Sequence, residues 1–130
     1  MPTLMIVDDE QPVVDGVCHI LEQHRPELRI VATATSGMRA IELAEQFEPD
    51  IVFVDIMMPG IDGLDAFEQI KTDHPSVVGI VATAYERFDI AQRAVRLGVF
   101  DYILKPINRD RVLEAVDGAV RRVEQRGDRH

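Results

Sequence analysis

Val52-Phe53-Val54-Asp55-Ile56-Met57-Met58-Pro59-Gly60 decides how the rest of the chain is read. Consecutive β-branched and aromatic residues suit a strand buried on both faces, and the Pro-Gly pair that follows is turn chemistry. Between them stands a carboxylate, so Asp55 either opens a loop or performs chemistry at a strand end. Outward from this stretch, short apolar runs recur at Leu4 to Val7, Leu28 to Ala34, Val77 to Ala82 and Phe100 to Leu104, with room for a crossover helix between each pair. The intervening segments carry apolar residues at helical spacing: Val14, Val17, Cys18 and Leu21; Ala40, Ile41 and Ala44; Leu64, Phe67 and Ile70; Ala91, Ala94 and Val95. Pro75 bounds the third of these helices, roughly Leu64 to Thr72, and Gly98 stands where the fourth should stop. A last helix, Arg109 to about Gln125, places Val112, Val116, Ala119, Val120 and Val123 on one face. Gly118 inside it costs about 1 kcal/mol of helix propensity relative to Ala, so packing must hold that helix. Strands alternating with helices in this way pair in parallel, and right-handed crossovers wind helices onto both faces. The fold class is therefore α/β, a doubly wound five-stranded parallel sheet.

One compact domain is what 130 residues with 46% hydrophobic and 28% charged side chains accommodate. Residues 1–124 hold it, and residues 125–130, which lack periodicity, read as a C-terminal tail or the start of a linker. A formal charge of -9, without a long Lys/Arg block, argues against this segment gripping nucleic acid phosphates. Cys18 is the only cysteine, and His19, His24, His74 and His130 have no Cys/His metal spacing. An internal disulfide is excluded, and a reducing cytoplasm is the natural setting. No apolar stretch approaches the length of a membrane span, and Met1-Pro2-Thr3 enters a strand-like run without a basic leader, so the chain is expected to be neither secreted nor inserted.

In a parallel sheet all strands finish at one edge, and ligands of open α/β sheets lie beyond it. Asp8, Asp9 and Glu10 follow the first strand, Asp55 the third, Thr83 the fourth and Lys105-Pro106 the fifth, which makes them neighbours. Crowded carboxylates repel one another and hold their protons unless a cation sits among them. With hard oxygen ligands and neither His nor thiolate on offer, the fitting ion is Mg²⁺ (or Mn²⁺), which recruits one or two carboxylates plus phosphate oxygens. A carboxylate in such a site can attack phosphorus to give an aspartyl phosphate, with Lys105 and Thr83 stabilising the transferring charge. Singly, these residues have plainer readings: Asp8 and Asp9 as helix caps, Asp55 as a loop opener, Lys105 as a solvated lysine, Thr83 as a strand former. Their convergence at one edge is what the plainer readings fail to anticipate.

Ile6-Val7-Asp8-Asp9-Glu10, Val54 through Asp62-Gly63, Thr83-Ala84 and Asp101-Tyr102-Ile103-Leu104-Lys105-Pro106, in this order and each at a strand end, together resemble the receiver domain of two-component response regulators. The resemblance spans about residues 3 to 124 and implies a flavodoxin-like (βα)5 sheet in strand order 2-1-3-4-5. It implies that a sensor histidine kinase phosphorylates Asp55, that Asp8, Asp9 and Asp55 with the Met57 main-chain carbonyl bind Mg²⁺, and that Lys105 pairs with the phosphoryl group. It further implies that Thr83 moves toward the phosphoryl oxygen, that Tyr102 swings inward as Thr83 vacates space, and that Lys105-Pro106 is a cis peptide. The consequence would be a population shift on the face of the fourth helix, fifth strand and fifth helix, where a phosphorylation-dependent homodimer is plausible. Tyr85 to Ala91 and the stretch from Leu97-Gly98 to Pro106 are similar to receivers joined to AraC-type helix-turn-helix domains. That similarity suggests a transcription factor with a C-terminal DNA-binding output, although a free-standing receiver would look nearly the same.

Two other functional classes compete with this one. A phosphatase or phosphotransferase of haloacid dehalogenase type would carry a second Asp two residues after the nucleophile, where Met57 stands, so turnover lacks a proton carrier. A phosphorylation-independent interaction module would require a missing site residue, and none is missing. Among the remaining residues, Tyr102 is on its own an aromatic of core or interface packing, and Cys18 a small buried hydrophobe. Arg109, Arg111, Arg121 and Arg122 read as a solvated face of the last helix. Met57 and Tyr85 cannot act as bases near neutral pH and can obstruct water, so slow loss of phosphate is expected.

Overall fold

A computed structural model of the chain describes residues 1–127, in which strands and helices strictly alternate. The elements are β1 (Thr3–Val7), α1 (Gln11–His24), β2 (Arg29–Ala34), α2 (Gly37–Phe47), β3 (Ile51–Asp55), α3 (Gly63–Asp73), β4 (Val78–Thr83), α4 (Phe88–Arg96), β5 (Asp101–Leu104) and α5 (Arg109–Gly127). All strand pairings are parallel, in the order β2-β1-β3-β4-β5. The chain thus winds outward from β1 to β2, recrosses to β3 and continues to β5, which puts the switch point between β1 and β3.

Side-chain alternation sorts the core into two layers. Leu4, Ile6, Ile51, Phe53, Ile80 and Ile103 pack with Val14, Val17 and Leu21 of α1 and Val112, Val116 and Ala119 of α5. Met5, Val7, Val52, Val54 and Val81 pack on the opposite face with Ala40 and Leu43 of α2, Leu64, Phe67 and Ile70 of α3, and Ala94 of α4. Burial on both faces explains why the β1, β3 and β4 runs are apolar at successive positions. Helix starts follow local chemistry: Ser36 accepts from the Arg39 amide at 3.1 Å to cap α2, and Asp62 accepts from the Asp65 amide at 2.8 Å to cap α3. Among the described residues no helix is long and apolar enough to cross a membrane.

Several expectations from spacing are corrected. Val95 is 77% exposed, because α4 turns Ala94 to the core, with Ile90 and Leu97 packed beside it. Arg111 is not merely solvated: its guanidinium forks onto Asp101 at 2.7 and 3.0 Å and reaches the Tyr102 carbonyl at 3.1 Å, tying the start of α5 to β5. Arg122 lies over the Phe100 ring, 5.2 Å from its centroid. Helix α5 continues past residue 124 to Gly127, and Arg126 bonds the Ser76 carbonyl and, at 3.1 Å, Asp50, so the stretch read as an aperiodic tail begins as helix. The remainder of that stretch, 128–130, lies outside the described residues. Cys18 is half-buried against the α1/α5 layer, and burial, then the nearby Glu22 and Asp15 charges, push its thiol up, as befits a packing residue.

Gly79 of β4 has no room for a side chain, since a Cβ there would lie 2.3 Å from the buried Phe67 ring. Gly79→Ala is expected to lower stability by about 1–3 kcal/mol, the usual cost of overpacking a filled core. Urea denaturation checks this, and Phe67→Leu in the Gly79→Ala background should recover part of the loss.

Candidate functional site

Asp55 and Thr83 are the last residues of β3 and β4, while Asp8 and Lys105 are the first beyond β1 and β5. The buried polar or charged residues among those described are Asp8, Asp55 and Thr83, and all three lie at this one edge. Strand register sets their heights: Val7 pairs with Val54, Asp55 with Ala82 and Thr83 with Leu104.

The charges are arranged around one ammonium. Lys105 Nζ donates to Asp8 Oδ2 at 2.9 Å and stands 3.4 Å from Asp55 Oδ1. Asp8 Oδ1 accepts from the Glu10 amide at 2.9 Å, and the N-cap of α1 is Glu10 without a side-chain cap bond, so neither Asp8 nor Asp9 serves as the helix cap. Asp9 is exposed at the mouth, yet one carboxylate oxygen from each of Asp8, Asp9 and Asp55 lies within 4.8 Å of the others. Burial, and next the charge of Asp8, push the Asp55 carboxyl up to about 6 against the opposing pull of Lys105. Burial works against the Lys105 ammonium, but the hydrogen bond to Asp8 and the charges of Asp55 and Asp8 outweigh it and hold the amine above its ordinary range. Three hard oxygen donors crowded to that degree are suited to a divalent cation.

The loop after β3 is shaped by a close approach. The Gly63 amide donates to the Ile56 carbonyl at 2.7 Å, and a Cβ on Gly63 would lie 2.0 Å from the Asp55 carbonyl oxygen. Only glycine lets α3 begin so near the Asp55 main chain. Thr83 Oγ1 accepts from the Tyr85 amide at 3.2 Å, and the Tyr85 carbonyl accepts from the Tyr102 hydroxyl at 3.3 Å, so the Tyr85 main chain bridges the two hydroxyl side chains. The Lys105-Pro106 bond is cis. The Met57 side chain is exposed. Sequence reasoning brought together Asp8, Asp9, Asp55, Thr83 and Lys105 but missed the steric role of Gly63 and the bridging Tyr85 main chain. The first was signalled by Asp62-Gly63 following the turn; the second, carried by main-chain atoms, left no signal.

A flavodoxin-like sheet with an acidic, lysine-countered pocket at its switch edge is the class this geometry defines. The family model for the response regulator receiver domain matches residues 4–117. The chemotaxis protein CheY of Listeria monocytogenes is 36% identical over 121 residues, covering 93% of this chain and 100% of CheY. The transcriptional regulatory protein YesN of Bacillus subtilis is 32% identical over 117 residues, covering 90% of this chain but only 32% of YesN. The solved REC domain of AraT, a response regulator from Geobacillus stearothermophilus, matches with a TM-score of 0.89 at 35% identity, covering 97% of this chain and 98% of that one. The chain belongs to the response regulator receiver domain family and is a receiver domain of two-component signal transduction.

The raised Asp55 carboxyl has a consequence for stability. Unfolded, it would titrate near its ordinary 3.8; folded, it keeps its proton to about 6, so the native state binds more protons across that window. Stability therefore falls as pH rises from about 4 to 6 and stays lowered above it. Asp55→Asn removes this penalty. Without divalent metal the variant is expected to be more stable than the parent by on the order of 2 kcal/mol at neutral pH, with the difference fading near pH 4. Denaturant titrations across that range check both the size and the window.

Proposed function

We propose that Asp55 is the phosphoacceptor, taking its phosphoryl group from a histidine kinase in a Mg²⁺-dependent reaction. The observation that carries this reading is a buried carboxylate 3.4 Å from a lysine ammonium, with two further carboxylates gathered within 4.8 Å. Asp55 Oδ attacks phosphorus, the bond to the kinase imidazole nitrogen breaks, and the imidazole leaves with its electron pair. Lys105 neutralises charge on the phosphoryl oxygens, moving little from its present place between Asp8 and Asp55. The Thr83 hydroxyl accepts from Tyr85 and so keeps its own proton free to donate to a phosphoryl oxygen. Asp8, Asp9, Asp55 and the Met57 carbonyl would hold Mg²⁺ (or Mn²⁺), which supplies countercharge for the crowded oxygens. The domain assists its own phosphorylation and dephosphorylation and does not turn over a small substrate.

A shift of Thr83 pulls on the Tyr85 main chain and through it on Tyr102, which moves inward and alters the α4-β5-α5 face. Phe88, Val95 and Leu104 already expose apolar surface there and support a phosphorylation-dependent homodimer on that face. The setting is the cytoplasm. The output is transcription, through a C-terminal DNA-binding domain; relatives named as transcriptional regulatory proteins, such as YesN, extend well beyond the part this chain matches, and the acidic receiver itself does not grip nucleic acid.

Incubation with acetyl phosphate and Mg²⁺ is expected to add one phosphoryl group by intact mass, and none without metal or in Asp55→Asn. If neither acetyl phosphate nor a panel of histidine kinases labels Asp55, the phosphoacceptor reading fails. A second expectation concerns lifetime: Met57 and Tyr85, each two residues beyond a site residue and with an exposed side chain, obstruct the attacking water. Tyr85→Ala should lose its phosphate several-fold faster than the parent, read as the decay of the phosphorylated mass; an unchanged rate would count against shielding.

A further inference from the structure

Helix α4 has the weakest apolar anchorage of the five. Ala94 is its only buried residue, whereas α1, α2 and α3 each bury at least three, and Phe88 and Val95 of α4 stand 81% and 77% exposed. A helix of nine residues with so little burial is not held by hydrophobic contact alone. Ile90 and the adjoining Leu97 add partly buried contacts, and the further hold is ionic. Arg93 reaches from α4 across to α3, where its guanidinium bonds Asp65 and lies 3.7 Å from Glu68. Among the described residues no other ion pair joins α4 to another helix.

The far end of this link is not neutral ground. Asp65 lies in the first turn of α3, with its amide on the Asp62 cap and its position two residues beyond Gly63, which sits against the Asp55 carbonyl. We propose that Arg93, with Asp65 and Glu68, forms an ionic clasp that holds α4 to the turn packed on the Asp55 main chain, and that phosphorylation loosens it. Arg93 is thus a positioning residue on a route from Asp55 to α4 separate from Thr83 and Tyr102. The release half of this proposal rests on Asp55 being the phosphoacceptor; the clasp itself does not.

The clasp is tested by amide hydrogen exchange on the whole chain without Mg²⁺ or phosphodonor. Partly exposed ion pairs shift an opening equilibrium by about two- to five-fold, and this is the expected acceleration of α4 exchange in Arg93→Ala and in Asp65→Asn. Arg93→Lys should stay near the parent, the double variant should match either single variant, and about 1 M salt should bring the parent toward the variants. Amides of α1 and α5 should not change. Unaltered α4 exchange in both single variants, or equal acceleration in α1 and α5, overturns the clasp. Acetyl phosphate with Mg²⁺ is then expected to speed α4 exchange in the parent and much less in Arg93→Ala. Labelled Asp55 with α4 exchange unmoved overturns the release step, whereas absence of label overturns the phosphoacceptor reading and leaves the exchange result without donor standing.

Discussion

Sharing one ammonium between two buried carboxylates is the constraint around which this domain is organised. Lys105 holds Asp8 at 2.9 Å and faces Asp55 at 3.4 Å, and Asp9 adds a third acid at the mouth. Three carboxylates against one ammonium leave a surplus of two negative charges when all are ionised, and no other cation of the described residues is paired with them. Burial first, and then the charge of Asp8 within that surplus, make Asp55 hold its proton late, and the same crowding of oxygens suits the pocket to a divalent ion. A proton on Asp55 and a divalent ion would relieve the same repulsion.

The hydrophobic core is what keeps these charges together. Because side chains alternate along a strand, slipping β1 by one residue against β3 would carry Met5 and Val7 to the α1/α5 layer and Leu4 and Ile6 to the other. The two layers therefore lock the register, and the register sets Asp8 level with Asp55. Burial energy spread over the whole sheet is thereby concentrated into a distance of a few ångströms at its edge. Gly63 serves the same end at the main chain, where the absence of one methyl group lets α3 start against the residue that carries the carboxylate.

Legibility in the sequence followed the same division. Strands buried on both faces announce themselves as unbroken apolar runs, so the sheet, its winding and the five residues at its edge could all be placed from spacing. Helix α4 could not be, because its apolar residues lie on both sides: Ile90, Ala94 and Leu97 turn inward while Phe88 and Val95 face out, and periodicity alone cannot say which side meets the core. Ion pairs between helices are invisible for another reason. Arg93 and Asp65 are 28 residues apart, and only the packing of α4 beside α3 brings them together. Arg111 read as surface charge because nothing in its own helix reveals that Asp101 and the Tyr102 carbonyl stand opposite.

Phosphorylation of Asp55, as proposed, would disturb this charge balance. A bound divalent ion would balance the surplus of two, and replacing the single charge of Asp55 by the roughly two of a phosphoryl group would then add about one negative charge beyond that balance. Lys105 is committed, and the acids cannot leave because the register holds them. What can move are uncharged hydrogen-bond donors and weakly anchored elements: the Thr83 hydroxyl, the Tyr85 main chain and α4, which buries one side chain. A well-packed charged edge beside a lightly anchored helix would direct the response to new charge outward along that helix, because motion elsewhere in the sheet would break the core. The light apolar anchorage of α4 is in this sense the counterpart of the close packing that confines Asp8 and Asp55.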